Sequence, residues 1–290
     1  MIRNVEKLIL GTVQLGMNYG INNTTGKPTE EEAIQLLSYA ARQGVKLLDT
    51  APAYGTALQV IEKYQANNPP FNIISKFTVT HDSSIILNQV QQQLQALQIP
   101  SFYCYHYHKF SDFTKFPQLQ KDLINLKEKG LIERIGVSIY TNEEMRMAIN
   151  SPFIDVIQLP FNLLDNTNLR GEVVEKAKLQ DKEIHIRSVF LQGLFFKEMQ
   201  SIPGKLRPLI PYLEQIRHMA HQNELTVQEL AMAYVFTNPY IDYVLIGIDS
   251  QQQLASNLQF LNKVVDAECI RLIDTIRVKE FELLNPVNWN

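Results

Sequence analysis

Short apolar runs alternate with longer amphipathic stretches along this chain, and this alternation restricts its possible folds more than any other feature. Eight of the runs have the length and the β-branched content of buried strands, and the stretches between them carry apolar residues three or four positions apart. Repeated strand–helix units of this kind build one parallel sheet. The strands are predicted at residues 7–10, 45–48, 72–76, 102–108, 134–138, 156–159, 184–188 and 243–247.

The helical stretches and the turn after the first strand together indicate whether such a sheet is open or closed. The helical pattern is clearest at residues 29–42, 83–97, 116–128 and 226–236, and Thr29 with Glu32 has the spacing of a capping box. A doubly wound sheet needs a glycine-rich turn that opens a helix after the first strand, whereas residues 10–16 lack that fingerprint and are predicted to open no helix. No low-complexity linker divides the 290 residues. We therefore predict an α/β protein, a single-domain (β/α)8 (TIM) barrel over residues 1–290.

Composition and charge narrow the class of protein. The hydrophobic content of 45% is enough for a large core, and the net charge of −3 comes without a basic run, which argues against nucleic acid or an anionic membrane as partner. No apolar run approaches the roughly 18 residues of a membrane helix, and the first ten residues do not resemble a signal peptide. Cys104 and Cys269 match no zinc or redox spacing and are predicted to be buried. These features predict a cytoplasmic protein; they predict no oligomeric state.

Polar side chains stand at the ends of three successive predicted strands. The second strand runs into the sequence LLDTAPAYG, which contains Asp49 and Tyr54, the third ends at Lys76 and the fourth at His108. The carboxyl ends of the strands in a closed barrel surround one mouth. The sequence therefore predicts that these four side chains meet.

The four residue types suit the reduction of a carbonyl group. Hydride delivery to the carbonyl carbon leaves negative charge on oxygen, so a nearby acid must donate a proton as that charge develops. The Tyr54 phenol is such an acid, and an adjacent Lys76 ammonium is expected to lower its pKa toward the working range. Asp49 is expected to keep Lys76 charged, and His108 to act as a second donor to the substrate oxygen.

Each residue taken singly has an ordinary structural explanation. A strand-end aspartate is commonly a helix cap, a Tyr-Gly pair a packed turn, and a strand-end lysine or histidine a solvated or hydrogen-bonded residue. His106 and His108 are also two positions apart on one strand, so a metal-dependent barrel hydrolase is an alternative. That alternative needs further ligands at other strand ends, and we predict no metal.

The sequence around these residues resembles the aldo-keto reductase family. The run from Asp49 to Gly55 reads like its Asp-Thr-Ala-x-x-Tyr-Gly signature, and Lys76 and His108 follow in family order. The resemblance continues through residues 136–138, 157–162 and 244–247 to Asn257 and covers nearly the whole chain. It implies an oxidoreductase that interconverts a carbonyl and an alcohol with a nicotinamide cofactor, NADP or NAD.

The resemblance also implies which residues bind the cofactor. Ser138 and Gln158 would hold the nicotinamide carboxamide with support from Asn162, and Arg187 would stack on the ring where many relatives have a tyrosine. Ile139 departs from the family, which usually has asparagine after the serine. Alternatives are that Gln158 satisfies buried backbone groups and that Arg187 pairs with a surface acid. Along the rest of the cofactor, the implied contacts are Gly11, Thr12, Ser188, Leu191, Gly193, Gly247, Asp249, Gln253 and Asn257.

The adenosine end differs from that of NADPH-preferring relatives. Those place basic residues around the 2′-phosphate, but here the matching positions are Gly247, Asp249, Ser250 and Gln253, while Asn257 still suits an adenine contact. If the Asp249 carboxylate faces the 2′-phosphate of NADPH, it would repel that phosphate. Family habit therefore favours NADP and local charge favours NAD, and both stay open.

Two further expectations concern the substrate and the alternative function. Residues 11–20 and the Arg187-Ser188 loop are similar to a branch of the family associated with sugar or surface-polysaccharide metabolism, which implies a carbonyl substrate derived from a sugar. The long connection at 189–211 is expected to cover the site. Ile139 and the missing basic residues also fit a nicotinamide-binding sensor or interaction subunit with little turnover.

Overall fold

A closed barrel of parallel strands forms the centre of the molecule, in a computed structural model that describes residues 4–23, 25–79 and 85–289. Each strand pairs with the next along the chain, and the eighth pairs with the first. This confirms the predicted (β/α)8 barrel. The strands are β1 (Leu8–Gly11), β2 (Leu47–Asp49), β3 (Asn72–Phe77), β4 (Cys104–Tyr107), β5 (Ile135–Ser138), β6 (Val156–Pro160), β7 (Glu183–Arg187) and β8 (Tyr243–Gly247).

Helices surround the barrel and connect its strands. The α-helices are α1 (Val13–Gly16), α2 (Glu30–Arg42), α3 (Ala57–Gln65), α4 (Ile85–Leu97), α5 (Phe110–Lys115), α6 (Leu119–Glu128), α7 (Asn142–Ile149), α8 (Thr167–Lys178), α9 (Ile210–Gln222), α10 (Val227–Thr237), α11 (Gln251–Phe260) and α12 (Ala267–Asp274). Short 3₁₀ helices cover Val5–Lys7, Leu191–Phe196, Met199–Ser201, Gly204–Leu209, Phe281–Leu284 and Pro286–Trp289. No helix within the described ranges is long and apolar enough to cross a membrane.

The structure corrects several predicted boundaries. The segment after β1, predicted to open no helix, forms the single helical turn α1. β4 is shorter than predicted because Phe102 makes an isolated bridge to Ile132, and His108 follows the strand rather than ending it. The helix predicted at residues 116–128 corresponds to α6, which begins at Leu119, and the short helix α5 before it was not predicted. The predicted start of the 83–97 helix lies outside the described residues.

The local sequence explains why the helices begin where they do. Thr29, Thr141 and Thr226 each accept a hydrogen bond from the backbone of the glutamate three residues later, and that glutamate bonds back to the threonine backbone. Such capping boxes satisfy amide groups that the first helical turn leaves without partners. The capping box read from Thr29 and Glu32 is thereby confirmed.

The core has two layers, as a barrel requires. Inside the barrel, a small cluster contains Ile9, Leu47, Ile74, Cys104 and Val156, and a much larger cluster lies between the strands and the helices. Each fully buried aliphatic side chain contributes roughly 1.5–3 kcal/mol. Cys104 and Cys269 are both buried and unbonded, as predicted.

A polar network closes the amino end of the barrel. The Tyr103 hydroxyl donates to Glu183 at 3.0 Å and lies 3.2 Å from the Tyr243 hydroxyl, while Arg134 stacks on the Tyr103 ring. His185 lies 2.7 Å from the same Glu183 carboxylate. With this end filled by side chains, the opposite mouth is the side on which a ligand can enter.

Candidate functional site

Asp49, Lys76 and Tyr54 meet at the carboxyl mouth of the barrel. Lys76 forms an ion pair with Asp49 in which each side chain is 3% exposed, and its ammonium also donates to the Tyr54 hydroxyl at 3.3 Å. His108 presents its ring edge-on to Tyr54, with the ring centroids 6.0 Å apart. The structure therefore brings together the four side chains that the sequence predicted would meet.

The backbone around Tyr54 is held by the loop after β1. The Tyr54 amide donates to the Ala51 carbonyl at 3.0 Å, which makes the tight turn that follows β2. A side chain at Gly16 would collide with the Tyr54 carbonyl oxygen, and Gly55 has a φ of +56°. These two glycines allow α1 to pack directly on the turn that carries the phenol.

Burial dominates the electrostatics of the tetrad. It raises the pKa of Tyr54, and although Lys76 acts in the opposite direction, the net shift is upward. The expectation that Lys76 would bring this pKa down toward neutrality is therefore wrong. Burial pulls the pKa of Lys76 down, but Asp49 and Tyr54 outweigh it and the net pKa is raised. At neutral pH the phenol is protonated and the lysine charged.

His108 is neutral in the same conditions. Burial lowers its pKa to about 4, and the positive charge of Lys76 adds to the effect. A neutral imidazole can donate one hydrogen bond to a substrate oxygen without adding a charge to the site.

Gln158, near the end of β6, holds the second oxygen of Asp49. Its amide nitrogen donates to Asp49 Oδ2 at 3.0 Å, whereas Lys76 binds Oδ1. Both carboxylate oxygens thus have partners inside the barrel. Gln158 also lines the adjoining cavity, so a further contact with a ligand is compatible with this bond.

A cavity of about 340 Å³ extends from Asp49 and Tyr54 toward α11. This volume lies within the range of small-molecule sites. Ser138 and Leu191 are not among its lining residues; both are buried, Ser138 at the end of β5 and Leu191 within the loop after β7. The predicted cofactor residues that do line it are Gly11, Thr12, Gln158, Arg187, Ser188, Gly193, Gly247, Asp249, Gln253 and Asn257.

The loop after β7 runs tightly along this cavity. Ser188, Leu191 and Gln192 have φ angles of +62°, +46° and +53°, which non-glycine residues rarely adopt. Asn162 holds the loop by donating to the Ser188 carbonyl at 3.1 Å; the resemblance had instead implied that it supports Ser138 and Gln158. Backbone held in this region is common where a chain clamps a ligand.

The cavity fits an elongated polar ligand such as a nicotinamide dinucleotide. The Gln14 side chain lies against Gly247, where a β-carbon would displace it, and its buried Oε1 has no hydrogen-bond partner among the described residues. A buried acceptor of this kind calls for a donor from a ligand or water. The chain supplies this cleft without a Rossmann turn.

The far end of the cavity is acidic or neutral. The Asp249 amide donates to Gln253 Oε1 at 3.3 Å, and Gln228 donates to Asn257 Oδ1 at 2.6 Å. Among the described lining residues, Arg187 is the single basic one, and it belongs to the opposite end near Tyr54.

Lys76 and His108 line a second, smaller cavity of about 230 Å³. Its wall includes residues of α4: Gln89, Gln92 and Gln93. A ligand here would meet polar groups and contact Lys76 and His108.

Sequence reasoning missed several residues of the larger cavity, among them Gln14, Tyr19 and Gln228. Gln14 and Tyr19 follow the carboxyl end of β1, so the rule that located Asp49 could have found them. Gln228 lies on α10, far from any strand end, and no sequence signal indicates it.

The hypothesis of a metal-dependent hydrolase requires further metal ligands near His106 and His108, and the described residues do not supply them. The His106 ring is fully buried inside the barrel, and neither of its nitrogens has a hydrogen-bond partner there. Burial holds the pKa of His106 well below its usual value. Across the part of the chain that the structure describes, no group of three or more His, Cys, Asp or Glu residues could hold a metal ion.

Comparison with known proteins gives a consistent result. The sequence model of the Aldo/keto reductase family matches residues 7–278. The NADH-specific methylglyoxal reductase of Escherichia coli (strain K12) is 23% identical, over 89% of this chain and 90% of that protein. Aldo-keto reductase YhdN of Bacillus subtilis (strain 168) is 23% identical, over 93% and 89%.

A solved structure has the same fold. The glycerol dehydrogenase AKR11B4 from Gluconobacter oxydans superposes with a TM-score of 0.75 at 19% identity, over 93% of this chain and 90% of that one. These matches do not bear on the sugar-associated branch, which stays a prediction. The family match spans most of the chain and includes the tetrad. The chain therefore belongs to the aldo/keto reductase family of nicotinamide-dependent oxidoreductases.

Proposed function

We propose that this protein reduces the carbonyl group of a small, polar aldehyde or ketone to an alcohol, with Tyr54 as the proton donor and NADH as the preferred coenzyme. The observation that carries the proposal is the buried Lys76, which bonds to both Asp49 and the Tyr54 hydroxyl. A charged lysine touching a protonated phenol at a cavity wall is suited to proton donation in a water-poor site.

Each member of the tetrad has a defined part in the reaction. A bound nicotinamide coenzyme supplies the hydride to the carbonyl carbon. As the carbonyl electron pair moves onto oxygen, Tyr54 donates its proton to that oxygen, and Lys76 stabilises the phenolate that remains. Asp49 keeps Lys76 charged, the neutral His108 donates a hydrogen bond to the same oxygen, and solvent returns a proton to Tyr54.

The larger cavity would hold the coenzyme. Gly11, Thr12 and Gln158 would lie at the nicotinamide half, with Arg187 beside them. The proposed contacts farther along are Ser188, Gly193, Gly247, Asp249, Gln253 and Asn257. Asp249 and the absence of a described basic residue at that end support NADH over NADPH, as does the relative named as NADH-specific.

The substrate carbonyl would lie against Tyr54, which lines the larger cavity, and the rest of the substrate would extend toward the smaller cavity beside Lys76 and His108. The smaller cavity's volume of about 230 Å³ and its glutamine side chains favour a short, oxygen-rich carbonyl compound over a long apolar one. The relative named as a methylglyoxal reductase carries the name of a substrate of that kind. A short sugar-derived carbonyl compound also fits this description.

The proposal is tested by a screen followed by one substitution. Purified protein is mixed with NADH or NADPH and with methylglyoxal, glyceraldehyde and short-chain sugars, and coenzyme oxidation is followed by absorbance. Saturable oxidation with at least one substrate is expected. In the Tyr54→Phe variant, turnover should fall by about 10²- to 10⁴-fold, with NADH affinity retained.

Tyr39→Phe, on the outer helix α2, is the matched control and should behave as wild type. Full turnover in Tyr54→Phe contradicts the assignment of the proton donor. If wild-type protein binds NADH tightly but does not oxidise it with any of the compounds tested, the alternative of a nicotinamide-binding sensor is favoured instead.

A further inference from the structure

Arg187, the last residue of β7, is a positive charge whose described contacts are all neutral. Its Nη2 donates to the Ile139 carbonyl at 3.0 Å, and its Nη1 lies 3.5 Å from the Ser188 hydroxyl. The guanidinium stacks on the Tyr140 ring at 4.2 Å. In the described ranges, no Asp or Glu side chain forms an ion pair with it. The second hypothesis for Arg187, a surface acid as partner, is therefore not supported by the described contacts.

The charges of the larger cavity are consequently unequal at its two ends. Three side chains that carry a full charge line it: Asp49, Arg187 and Asp249. Asp49 is neutralised by Lys76, and Asp249 lies after β8 at the end near α11. The end beside Tyr54 thus carries one positive charge without a described ion-pair partner, that of Arg187. Burial raises the pKa of the Asp165 carboxylate and the charge of Arg187 acts against this rise, but Asp165 is itself ion-paired with Arg170.

The positive charge of Arg187 acts on two tyrosines that line the cavity, Tyr19 and Tyr54. Burial raises the pKa of both Tyr19 and Tyr54, and in both cases the positive charge of Arg187 acts against that rise. Arg187 also lines the same cavity as Tyr54. A coenzyme ring that delivers hydride to a carbonyl hydrogen-bonded to Tyr54 must lie in this part of the cavity, so it lies in the field of the guanidinium.

Reduction of the carbonyl changes the charge of the nicotinamide ring. The reduced nicotinamide is neutral; when the hydride moves to the carbonyl carbon and a proton moves from Tyr54 to the oxygen, the products are an alcohol, a cationic oxidised ring and the Tyr54 phenolate, to which solvent returns a proton. We propose that Arg187 makes the site bind the reduced, neutral coenzyme in preference to the oxidised, cationic one, and so favours carbonyl reduction over alcohol oxidation. The inference rests on the proposed function.

The expected size of the preference follows from Coulomb's law. In a partly solvated pocket, repulsion between the Arg187 guanidinium and the oxidised ring should weaken binding by on the order of tenfold, or about 1.4 kcal/mol. Isothermal titration calorimetry with NADH and with NAD⁺ measures both dissociation constants without any substrate. Arg187→Gln removes the charge but keeps amide donors, Arg187→Met removes both, and Arg187→Lys keeps the charge.

Wild type and Arg187→Lys should bind NADH at least tenfold more tightly than NAD⁺. In Arg187→Gln and Arg187→Met this ratio should fall roughly tenfold, chiefly because NAD⁺ binds more tightly. Arg146→Gln, which removes an exposed arginine of α7, is the control and should leave the ratio unchanged.

The outcomes separate this inference from the proposed function. If the neutral variants weaken both coenzyme forms equally, or leave the ratio as in wild type, Arg187 acts as a hydrogen-bonding or packing residue and the inference is overturned. If wild-type protein binds neither form, the proposed function itself fails.

Discussion

The buried pair of Lys76 and Asp49 allows the sharpest test of how the site is built. Both side chains are 3% exposed, so neither charge is solvated once its partner is removed. Removing one member of a buried ion pair typically costs 3–5 kcal/mol, because the remaining charge stays buried without compensation. Lys76→Met keeps much of the side-chain volume and leaves Asp49 with the single described donor Gln158.

We therefore expect Lys76→Met to lower the free energy of unfolding by about 3–5 kcal/mol. At about 2 °C per kcal/mol for a chain of this size, the melting temperature should fall by roughly 6–10 °C. The double variant Lys76→Met, Asp49→Asn removes both charges. It should be less destabilised than the sum of the two single variants by on the order of 2 kcal/mol, since the two residues are in direct contact.

Urea unfolding followed by circular dichroism measures these differences, with thermal melts as a second readout. Lys63→Met is the matched control, because Lys63 and Glu30 form an ion pair whose side chains are 56% and 51% exposed. That substitution should cost less than about 1 kcal/mol. Equal costs at Lys63 and Lys76, or strictly additive single variants, would refute the reasoning that burial sets the strength of the Lys76–Asp49 pair.

Two further predictions concern coenzyme choice and pH. The double variant Asp249→Arg, Gln253→Arg should raise the ratio of NADPH affinity to NADH affinity several-fold at low salt, because each exposed charge-assisted contact contributes on the order of 1 kcal/mol. The rise should be smaller at high salt, which screens exposed charges. An unchanged ratio in direct titrations would show that this loop does not meet the 2′ position of the adenosine ribose. Since the pKa of His108 is lowered to about 4 and that of Tyr54 is raised, reductive kcat/KM should be level across neutral pH and fall as the pH drops through about 4, where His108 gains a proton. His108→Gln should lack this acid limb, and a limb centred near pH 6.5 in wild type would contradict the lowered pKa of the half-buried His108.

Local sequence patterns determined the barrel and the location of its reactive mouth. Apolar periodicity marks strands and helices because it reflects which face is buried, and a run of strand–helix units closes into a parallel barrel. Asp49, Tyr54, Lys76 and His108 could be assigned to one site because each belongs to a strand end or to the turn after it. The predicted cofactor residues followed from resemblance, and ten of the twelve line the larger cavity.

Tertiary structure alone decided how these groups interact. The bond from Gln158 to Asp49 joins residues 109 positions apart, and Gln228 reaches the cavity from a helix rather than a strand. The direction of the Tyr54 pKa shift was mispredicted because sequence shows a neighbouring lysine but not the depth of burial, and desolvation is the larger effect. Likewise, the sequence places Arg187 at a strand end, whereas its lack of a described carboxylate partner depends on every chain segment that packs around it. Periodicity is a property of neighbouring residues, but desolvation and charge balance are properties of the volume around a group, which many distant segments fill together.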